Sequence, residues 1–303
     1  MNKSVLVVTG SHDLTCDYVI EKHPAVSFYR FDIDHFSQYN VSFSDYGFLI
    51  ENDTGQISTD TCQSIYYRKP RLEDLSEAFN AKYHDFAHAE CYAIVEGIVE
   101  SFAGRCLSRP SILRKANNKI LQLSVAKTAG FRMPKSLITN SPSAKAKFFD
   151  GQTIIKPLAS GTIDVEGQKE YVQTNLVDES IDDSLLKYAP AYFQGYIEKD
   201  YELRLTFVGM DVYSVRIDSE NKIDWRKRGN NVSYSAEAVP QDIYEKCLKF
   251  MKNLDMEFGC FDFLVKDGEY IFLEMNANGQ WAWLEFETGL EISSSIVKFL
   301  TRK

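Results

Sequence analysis

Runs of aliphatic and aromatic residues alternate with polar and glycine-containing segments along the first third of the chain. Strand patterns occur at residues 4–9, 27–31, 46–51 and 64–68, and apolar side chains recur at helical spacing within 83–102. Strands that alternate with helices are typical of an α/β layer domain. We therefore expect a partly parallel sheet in this part of the chain.

The remaining sequence predicts two further parts. A polar turn at 108–110 is followed by a predicted helix at 117–130 and by a strand at 151–157 that ends in Lys156. From residue 191 the pattern becomes mainly antiparallel, with strands expected at 191–197, 203–208, 212–217, 258–265 and 270–275, and helices at 241–253 and 290–300. The chain is thus expected to have three domains, at 1–108, 109–190 and 191–303.

Composition excludes several classes of protein. The 303-residue chain has no apolar run long enough to cross a bilayer, so we expect no membrane partner. Its net charge of −9 argues against a general nucleic-acid binder. The six cysteines are scattered and form no CxxC pair, which favours a reducing, cytoplasmic location.

The predicted hairpin at 258–276 carries the most specific chemistry. Glu274 and Asn276 are two residues apart and so project from one face of a strand. Asp262 can join them from the neighbouring strand, across a turn at 266–269. Two carboxylates and a carboxamide supply the hard oxygen donors that Mg²⁺ prefers. The alternative is an ordinary hairpin with a polar, solvated face.

A second polar feature is a basic stretch within an acidic chain. Arg216, Lys222, Arg226, Lys227 and Arg228 lie close together in the sequence. Such a patch suits phosphate groups or an acidic substrate. A solvated hairpin end would have the same composition, and this interpretation also stays open.

Four features in a fixed order resemble the ATP-grasp superfamily of carboxylate–amine ligases across residues 109–303. They are Lys119 on a helix, Lys156 before a Ser-Gly turn, an apolar strand with polar flanks at 194–202, and the predicted Mg²⁺ ligands. The resemblance implies an ATP-grasp fold of the α/β (α+β) class. In it, an N-terminal α/β pre-ATP-grasp domain precedes two lobes that clamp ATP between antiparallel sheets. It also implies ATP and Mg²⁺ as cofactors, with two metal ions expected.

The resemblance assigns four residues to the phosphates of ATP. Lys119 and Lys156 would bring positive charge to them from two different elements. Ser160 and Gly161 would offer backbone N–H groups, and Gly161 has no Cβ to prevent close approach. An exposed helix lysine is the alternative for Lys119.

Four other residues would contact the nucleoside under the same resemblance. Gln194 would pair with the adenine edge, and backbone groups of Tyr196 and Ile197 would supply further contacts at the hinge. Glu202 resembles the acid that holds the ribose hydroxyls. All four lie on or next to one predicted strand.

Two segments narrow the resemblance to the graspetide, or microviridin-type, peptide ligases. The run IYYRKP at 65–70 resembles their aromatic-Arg-Arg-Pro signature, with Lys69 in place of the second arginine. The run NANGQW at 276–281 resembles their C-terminal segment. Two further runs, YELR at 201–204 and DWR at 224–226, are also similar to ribosomal-protein glutamate ligases.

Graspetide ligases close side-chain ester or amide rings in a ribosomal precursor peptide, which has a leader and an acidic core. The resemblance implies that this chain activates Asp or Glu carboxyls of such a peptide as acyl phosphates. Arg204, Arg216 and Arg226 are candidates to grip the carboxylate and the γ-phosphate. Arg68 and Arg228 are candidate substrate contacts, although a local salt bridge would equally account for Arg68.

Two other functions remain open at this stage. A ligase that adds an amino acid to a protein tail or to a small-molecule carboxylate would use the same ATP chemistry. A nucleotide-binding regulator would lack turnover, but it would not need the metal ligands and both lysines. The sequence names neither the acceptor nor a general base, and it leaves a homodimer open.

Overall fold

A parallel sheet forms the centre of the N-terminal part. The computed structural model describes residues 3–159, 161–165, 168–171, 174–177, 183–221, 223, 225 and 229–302. The N-terminal elements are, in chain order, β1 (Ser4–Thr9), α1 (Leu14–Lys22), β2 (Phe28–Asp32), a 3₁₀ helix (Ile33–Gln38), β3 (Asn40–Ser44), β4 (Gly47–Asn52), β5 (Gly55–Ser58), β6 (Cys62–Tyr67), a 3₁₀ helix (Ala81–Tyr83), α2 (His84–Ser101) and β7 (Arg105–Leu107).

The expected α/β layer is confirmed, with one difference. Strands β2, β1, β6 and β7 pair in that order, and every pairing is parallel. The central strand β1 is buried along almost its whole length, as expected for a parallel strand covered on both faces. The strand predicted at 46–51, however, belongs to a separate antiparallel sheet of β3, β4 and β5.

Two short helices connect this part to the rest of the chain. They are α3 (Pro110–Ala116) and α4 (Lys119–Ala129). Helix α4 begins after Asn118, whose side chain accepts a hydrogen bond from the Leu121 N–H at 3.0 Å. It ends at Gly130, which has the left-handed φ of 90° that favours glycine. These two caps explain why the sequence located this helix well.

The central lobe is an antiparallel sheet with a hairpin beside it. Its elements are β8 (Ser136–Thr139), α5 (Pro142–Phe148), β9 (Thr153–Lys156), β10 (Thr162–Val165), β11 (Gln168–Tyr171), β12 (Asn175–Leu176), a 3₁₀ helix (Asp183–Tyr188) and β13 (Ala191–Gly195). The sheet order is β12-β9-β13-β8, and β10 pairs with β11. Because β13 is an inner strand of this sheet, the lobe extends past the boundary predicted at residue 190.

A five-stranded antiparallel sheet dominates the C-terminal lobe. Its elements are β14 (Tyr201–Val208), β15 (Asp211–Ser219), β16 (Val232–Ala236), α6 (Gln241–Asn253), β17 (Phe258–Lys266), β18 (Glu269–Asn276), α7 (Ala282–Thr288) and α8 (Ile292–Thr301). The strand order is β16-β15-β14-β17-β18. The β17–β18 turn has positive φ at Asp267 (50°) and Gly268 (78°), as a two-residue hairpin turn of type I′ requires.

The two faces of the C-terminal sheet differ in character. One face packs apolar side chains such as Leu203, Phe261 and Phe272 against Phe131 and the Phe250 ring of α6. Polar side chains collect on the opposite face and are described below. In the described part of the chain, no helix is long and apolar enough to span a bilayer.

A buried carboxylate joins α7 to the N-terminal domain. Glu285 accepts hydrogen bonds from Tyr18 Oη and Lys22 Nζ of α1, each at 2.6 Å, and from the N–H and Oγ of Ser293, each at 2.7 Å. Burial alone would raise the pKa of the Glu285 carboxyl, but the hydrogen bonds from Lys22, Ser293 and Tyr18 outweigh it and lower the pKa. The contact therefore ties the two ends of the chain together.

We expect Glu285→Gln to lower the free energy of unfolding by about 3 kcal/mol at neutral pH, because it leaves Lys22 without its buried partner. Because the folded-state pKa of Glu285 is depressed, this stabilisation is fully present above the ordinary carboxyl pKa and is lost as pH falls through the folded-state value. Urea unfolding of wild type and variant at neutral and acidic pH measures both effects. Glu287→Gln, an exposed change on the same helix, is the control; equal stability of wild type and Glu285→Gln at pH 7 would contradict the assignment.

Candidate active site

Three oxygen-bearing side chains meet where β17 and β18 pair. Asp262 lies opposite Glu274 in the register, and Asn276 follows two residues later. Asn276 Nδ2 donates to Asp262 Oδ2 at 2.8 Å and reaches Glu274 Oε1 at 3.5 Å. The two carboxylates and the carboxamide named from the sequence are therefore brought together. No cluster of three or more His, Cys, Asp or Glu suited to a metal occurs among the described residues.

A β-bulge creates this convergence. Asp262 pairs with Glu274, whereas the next residue, Phe263, pairs with Phe272, so Leu273 is an extra residue in β18. Without it, Phe272 and Glu274 would share a face. The bulge instead leaves Phe272 in the core and turns Glu274 to the polar face, beside Asp262.

Two cations balance the carboxylates. Arg204, on β14 directly opposite Asp262, donates from Nη1 to Asp262 Oδ1 at 2.7 Å and Oδ2 at 3.0 Å. Lys119, the first residue of α4, donates to Glu274 Oε2 at 2.6 Å. Burial would lower the pKa of the Arg204 guanidinium, but Asp262 outweighs this and raises it. Each carboxylate thus has its own positive partner.

Gln122, which the sequence analysis did not single out, positions α4 against β18. Its side chain is buried, donates to the Met275 carbonyl at 2.8 Å and accepts from the Met275 N–H at 3.0 Å. Met275 lies between Glu274 and Asn276. The pair of hydrogen bonds therefore fixes the helix that carries Lys119 to the backbone that carries two candidate metal ligands.

Lys156 lies at the end of β9 and its ammonium is held by Gln194. Lys156 Nζ donates to Gln194 Oε1 at 2.8 Å. Burial lowers the pKa of Lys156 and nearby Lys119 adds to this, while Glu274 acts in the opposite direction. Gln194 is itself buried, and its Nε2 donates to the Ser136 and Tyr192 hydroxyls at 3.2 and 3.1 Å. Rather than presenting a free amide to an adenine edge, Gln194 supports Lys156 in this structure.

The remaining predicted nucleoside contacts follow β13. The Tyr196 N–H donates to the Gln152 carbonyl at 2.8 Å. Ile197 follows it in the segment that connects β13 to β14. Glu202, on β14, is buried and forms an ion pair with Lys199, a lysine that the sequence analysis did not single out. The sequence signal that could have indicated this ion pair is the spacing of three residues between Lys199 and Glu202.

Some predicted residues lie outside the described residues. Ser160, Arg226 and Arg228 belong to this group. Gly161 is described and directly precedes β10. The roles assigned to these four residues stay predictions.

Arg216 was expected at the γ-phosphate, but the register places it on the other face of the sheet. It pairs with Leu203, whose side chain is in the core, whereas Arg204 pairs with Val215. Arg216 binds Asp218 through two contacts of 2.7 Å and lies 3.8 Å from the centre of the Tyr201 ring. Adjacent strand residues project to opposite faces, so Arg216 and Arg204 cannot serve one site from this sheet.

Arg68 was expected to face a cleft, and this too is corrected. Its side chain is fully buried. The guanidinium donates to Gln280 Oε1 at 3.0 Å, to Asn278 Oδ1 at 3.4 Å and to Asp13 Oδ2 at 3.4 Å. Asn278 Nδ2 in turn donates to the Arg68 carbonyl. Arg68 thus ties the loop after β18 to the N-terminal domain.

That loop, residues 276–281, closes over Arg204. Arg204 Nη2 donates to the Gln280 carbonyl at 3.1 Å. A Cβ on Gly279 would lie 2.6 Å from Cys260 Sγ and 3.0 Å from Arg204 Nη2, so only glycine allows this approach. The loop and the guanidinium therefore pack as one unit.

A cavity of about 500 Å³ lies beside this unit. Residues from the N-terminal domain, the linker and the C-terminal lobe line it: Lys69, Asn117, Arg204, Trp225, Asn276, Ala277, Asn278, Gly279, Gln280 and Trp283. Trp283 packs against Trp225 and Tyr234, with ring centres 5.3 and 5.1 Å apart. Trp281, by contrast, is fully buried. Trp283 therefore borders the cavity, whereas Trp281 does not.

The residues present fit a magnesium nucleotide. Asp262, Glu274 and Asn276 carry hard oxygen donors in one cluster. Lys119 and Lys156 bring two ammonium groups to the same side, since each interacts electrostatically with Glu274. The buried Nε of Arg204 has no hydrogen-bond partner among the described residues.

Comparisons with known proteins show which family and which solved structures this chain is similar to. Residues 4–112 match the family described as the MvdD pre-ATP grasp domain. A RiPP-associated ATP-grasp ligase from Chryseobacterium gregarium, solved with ADP and a leader and core peptide, is 30% identical with a TM-score of 0.88, over 99% of this chain and 96% of that one. The macrocyclase MdnC from Microcystis aeruginosa MRC, bound with precursor peptide MdnA, is 28% identical with a TM-score of 0.87, over 98% of this chain and 99% of that one.

A third structure shares the fold at lower identity. The ATP-grasp ligase PsnB, complexed with a phosphomimetic variant of its minimal precursor, Mg and ADP, is 22% identical with a TM-score of 0.82, over 99% of this chain and 98% of that one. At this identity the likeness concerns the fold alone. Among curated proteins, no match was found.

Proposed function

This chain belongs to the RiPP-associated ATP-grasp ligases, and we propose that it is a graspetide-type macrocyclase. It uses ATP to activate Asp or Glu side-chain carboxyls of a ribosomal precursor peptide and closes ester or amide cross-links, releasing ADP. The observation that carries the proposal is the convergence of Asp262, Glu274 and Asn276 with Lys119 and Arg204 on one face of the sheet. These are the groups that acyl phosphate formation needs, in a chain that matches a macrocyclase along nearly its whole length.

The proposed substrate is a precursor peptide with a leader and an acidic core. The Chryseobacterium relative was solved with a leader and a core peptide, and MdnC with its precursor. An acidic core also suits the guanidinium of Arg204, which lines the adjoining cavity.

For the metal, the proposal assigns Asp262, Glu274 and Asn276 as ligands of two Mg²⁺ ions. When bound, Mg²⁺ neutralises the charge that accumulates on the phosphates during transfer. The ligand oxygens that Lys119 and Arg204 now contact would then be shared with the metal. Both cations would remain close enough to stabilise the transferring phosphoryl group.

In the proposed reaction, named residues of the chain bind the phosphates and the carboxylate before the acyl phosphate forms. Lys119 and Lys156 hold the phosphates, and Arg204 orients the carboxylate for in-line attack on the γ-phosphorus. ADP leaves and an acyl phosphate is formed. A hydroxyl or amine of the same peptide then attacks the acyl carbon, phosphate departs, and the peptide has lost the elements of one water per bond.

The proposal predicts the mass of the product. Wild-type protein incubated with ATP, Mg²⁺ and the peptide encoded beside its gene should yield a peptide lighter by one water for each ring. Mass spectrometry with tandem fragmentation measures both the loss and its position. An otherwise identical peptide with Asn and Gln in place of the core Asp and Glu is the control and should remain unchanged.

Two results would count against this function. A mass gain equal to an amino-acid residue would favour a ligase that extends its acceptor. ATP consumption that is independent of the acidic peptide, with no change in peptide mass, would contradict peptide modification.

The site geometry predicts contrasting effects at two cations. Lys156→Ala should weaken binding of a non-hydrolysable ATP analogue with Mg²⁺ by about 10- to 100-fold, because a charge-assisted contact is lost. Arg216→Ala should leave this affinity unchanged, since Arg216 lies on the opposite sheet face. Calorimetric titration measures both. An equal loss of affinity for the ATP analogue in both variants would refute the assignment of Arg216 to the opposite face of the sheet.

Removal of the candidate metal ligands should abolish product without unfolding the protein. Glu274→Ala and Asn276→Ala each delete an oxygen donor at a partly exposed strand end, so core packing is retained. Glu269→Ala, at the exposed start of the same strand, is the matched control and should retain activity. Product yield and melting temperature are measured together. Full activity of Glu274→Ala at saturating Mg²⁺ would rule out its role as a ligand.

A further inference from the structure

Among the described residues, the cations at and beside the 500 Å³ cavity differ in whether they have an ion-pair partner. Arg68 is compensated by Asp13, and Arg204 by Asp262. Lys69 also lines the cavity, but it forms no hydrogen bond or ion pair with any residue that the structure describes. Within the described part of the chain, Lys69 therefore has no direct ion-pair partner.

The surroundings of Lys69 favour an anion. Lys69 is an exposed residue at the wall of the cavity. Partial desolvation there lowers the pKa of its ammonium, and the nearby positive charge of Arg68 lowers it further, while Asp13 acts in the opposite direction. A bound carboxylate would relieve both effects. Lys69 lies two residues after the end of β6, so the N-terminal domain supplies this charge to a site built mainly by the C-terminal lobe.

The position of the cavity separates it from the phosphate lysines. Arg204 and Asn276 border it, whereas Lys156 and Glu202 do not. The volume is within the range of small-ligand sites. Trp283, packed on Tyr234, adds an apolar wall suited to the stem of a peptide side chain.

We propose that this cavity is the acceptor subsite, in which Lys69 and Arg204 bind the Asp or Glu carboxylate that is to be activated. This rests on the proposed function and names the residue that recognises the reacting side chain. One carboxylate oxygen contacts Lys69 Nζ, and the other is left to attack the γ-phosphorus. Lys69 is a substrate-binding residue in this scheme and takes no part in holding ATP.

The proposal predicts a selective defect in Lys69→Ala. KM for the precursor peptide should rise by about 10- to 100-fold, as expected for a lost charge-assisted contact, while the affinity for the ATP analogue stays unchanged. Lys69→Arg keeps the charge and should recover most of the peptide affinity. Arg71→Ala, an exposed cation two residues away that does not line the cavity, is the matched control.

A second measurement uses the wild-type protein and does not depend on variant folding. Reductive methylation of Lys69, followed by peptide mapping, should be slowed by the acidic precursor with ATP analogue and Mg²⁺. The precursor with Asn and Gln in its core should give no such protection. The exposed Lys82, away from the cavity, reports the general rate of modification.

The outcomes separate the two proposals. If wild type dehydrates the peptide but Lys69→Ala retains its KM, or if Lys69 is not protected, the acceptor subsite is wrong and the macrocyclase stands. If Lys69→Ala weakens the ATP analogue as strongly as the peptide, Lys69 is a phosphate ligand and the subsite is again overturned. If wild type forms no dehydrated product, yet the acidic peptide alone protects Lys69, the subsite holds and the macrocyclase fails.

Discussion

The site depends on one irregularity in the pairing of β17 with β18. The extra residue Leu273 allows Phe272 to stay in the core while Glu274, two residues later, turns to the polar face. A regular strand would put both side chains on the same side, and either the core or the metal ligand would be lost. Lys119 reaches the site only because Glu274 is there, and the buried contact of Gln122 with Met275 holds the bulged strand in that register.

The buried Arg204–Asp262 pair follows from the same register. It holds the Arg204 guanidinium in place more than it stabilises the fold. Desolvation of two charges offsets most of their attraction, so such a pair adds little net stability, although losing one partner costs about 3–5 kcal/mol. What the pair provides is a guanidinium fixed on three sides, by Asp262, by the Gln280 carbonyl and by the close packing of Gly279. A donor held in this way needs no reorganisation when a substrate anion arrives.

Much of the architecture was predictable because short-range sequence patterns determine it. The caps of α4, the type I′ turn before β18 and the spacing of Glu274 and Asn276 are all short-range signals. The prediction for Arg216 was wrong because it relied on the types of residue present and their closeness in sequence. Residues that pair across two strands share a face, and the register places Arg216 with Leu203 and Arg204 with Val215, on opposite faces of the sheet. The boundary at residue 190 was misplaced because the pairing of β13 with β8 and β9 is a long-range property.

The pair Arg68 and Lys69 illustrates what sequence alone could not resolve. In extended backbone, neighbouring side chains point in opposite directions. Arg68 is therefore buried against Asn278 and Gln280 and holds the loop in place, while Lys69 lines the cavity that this loop helps to enclose. Which of two adjacent cations is structural and which is available to a substrate depends on where the loop from the other end of the chain packs. The N-terminal domain thus both fixes the loop and contributes a charge beside it, so residues from both ends of the chain form the wall of the cavity.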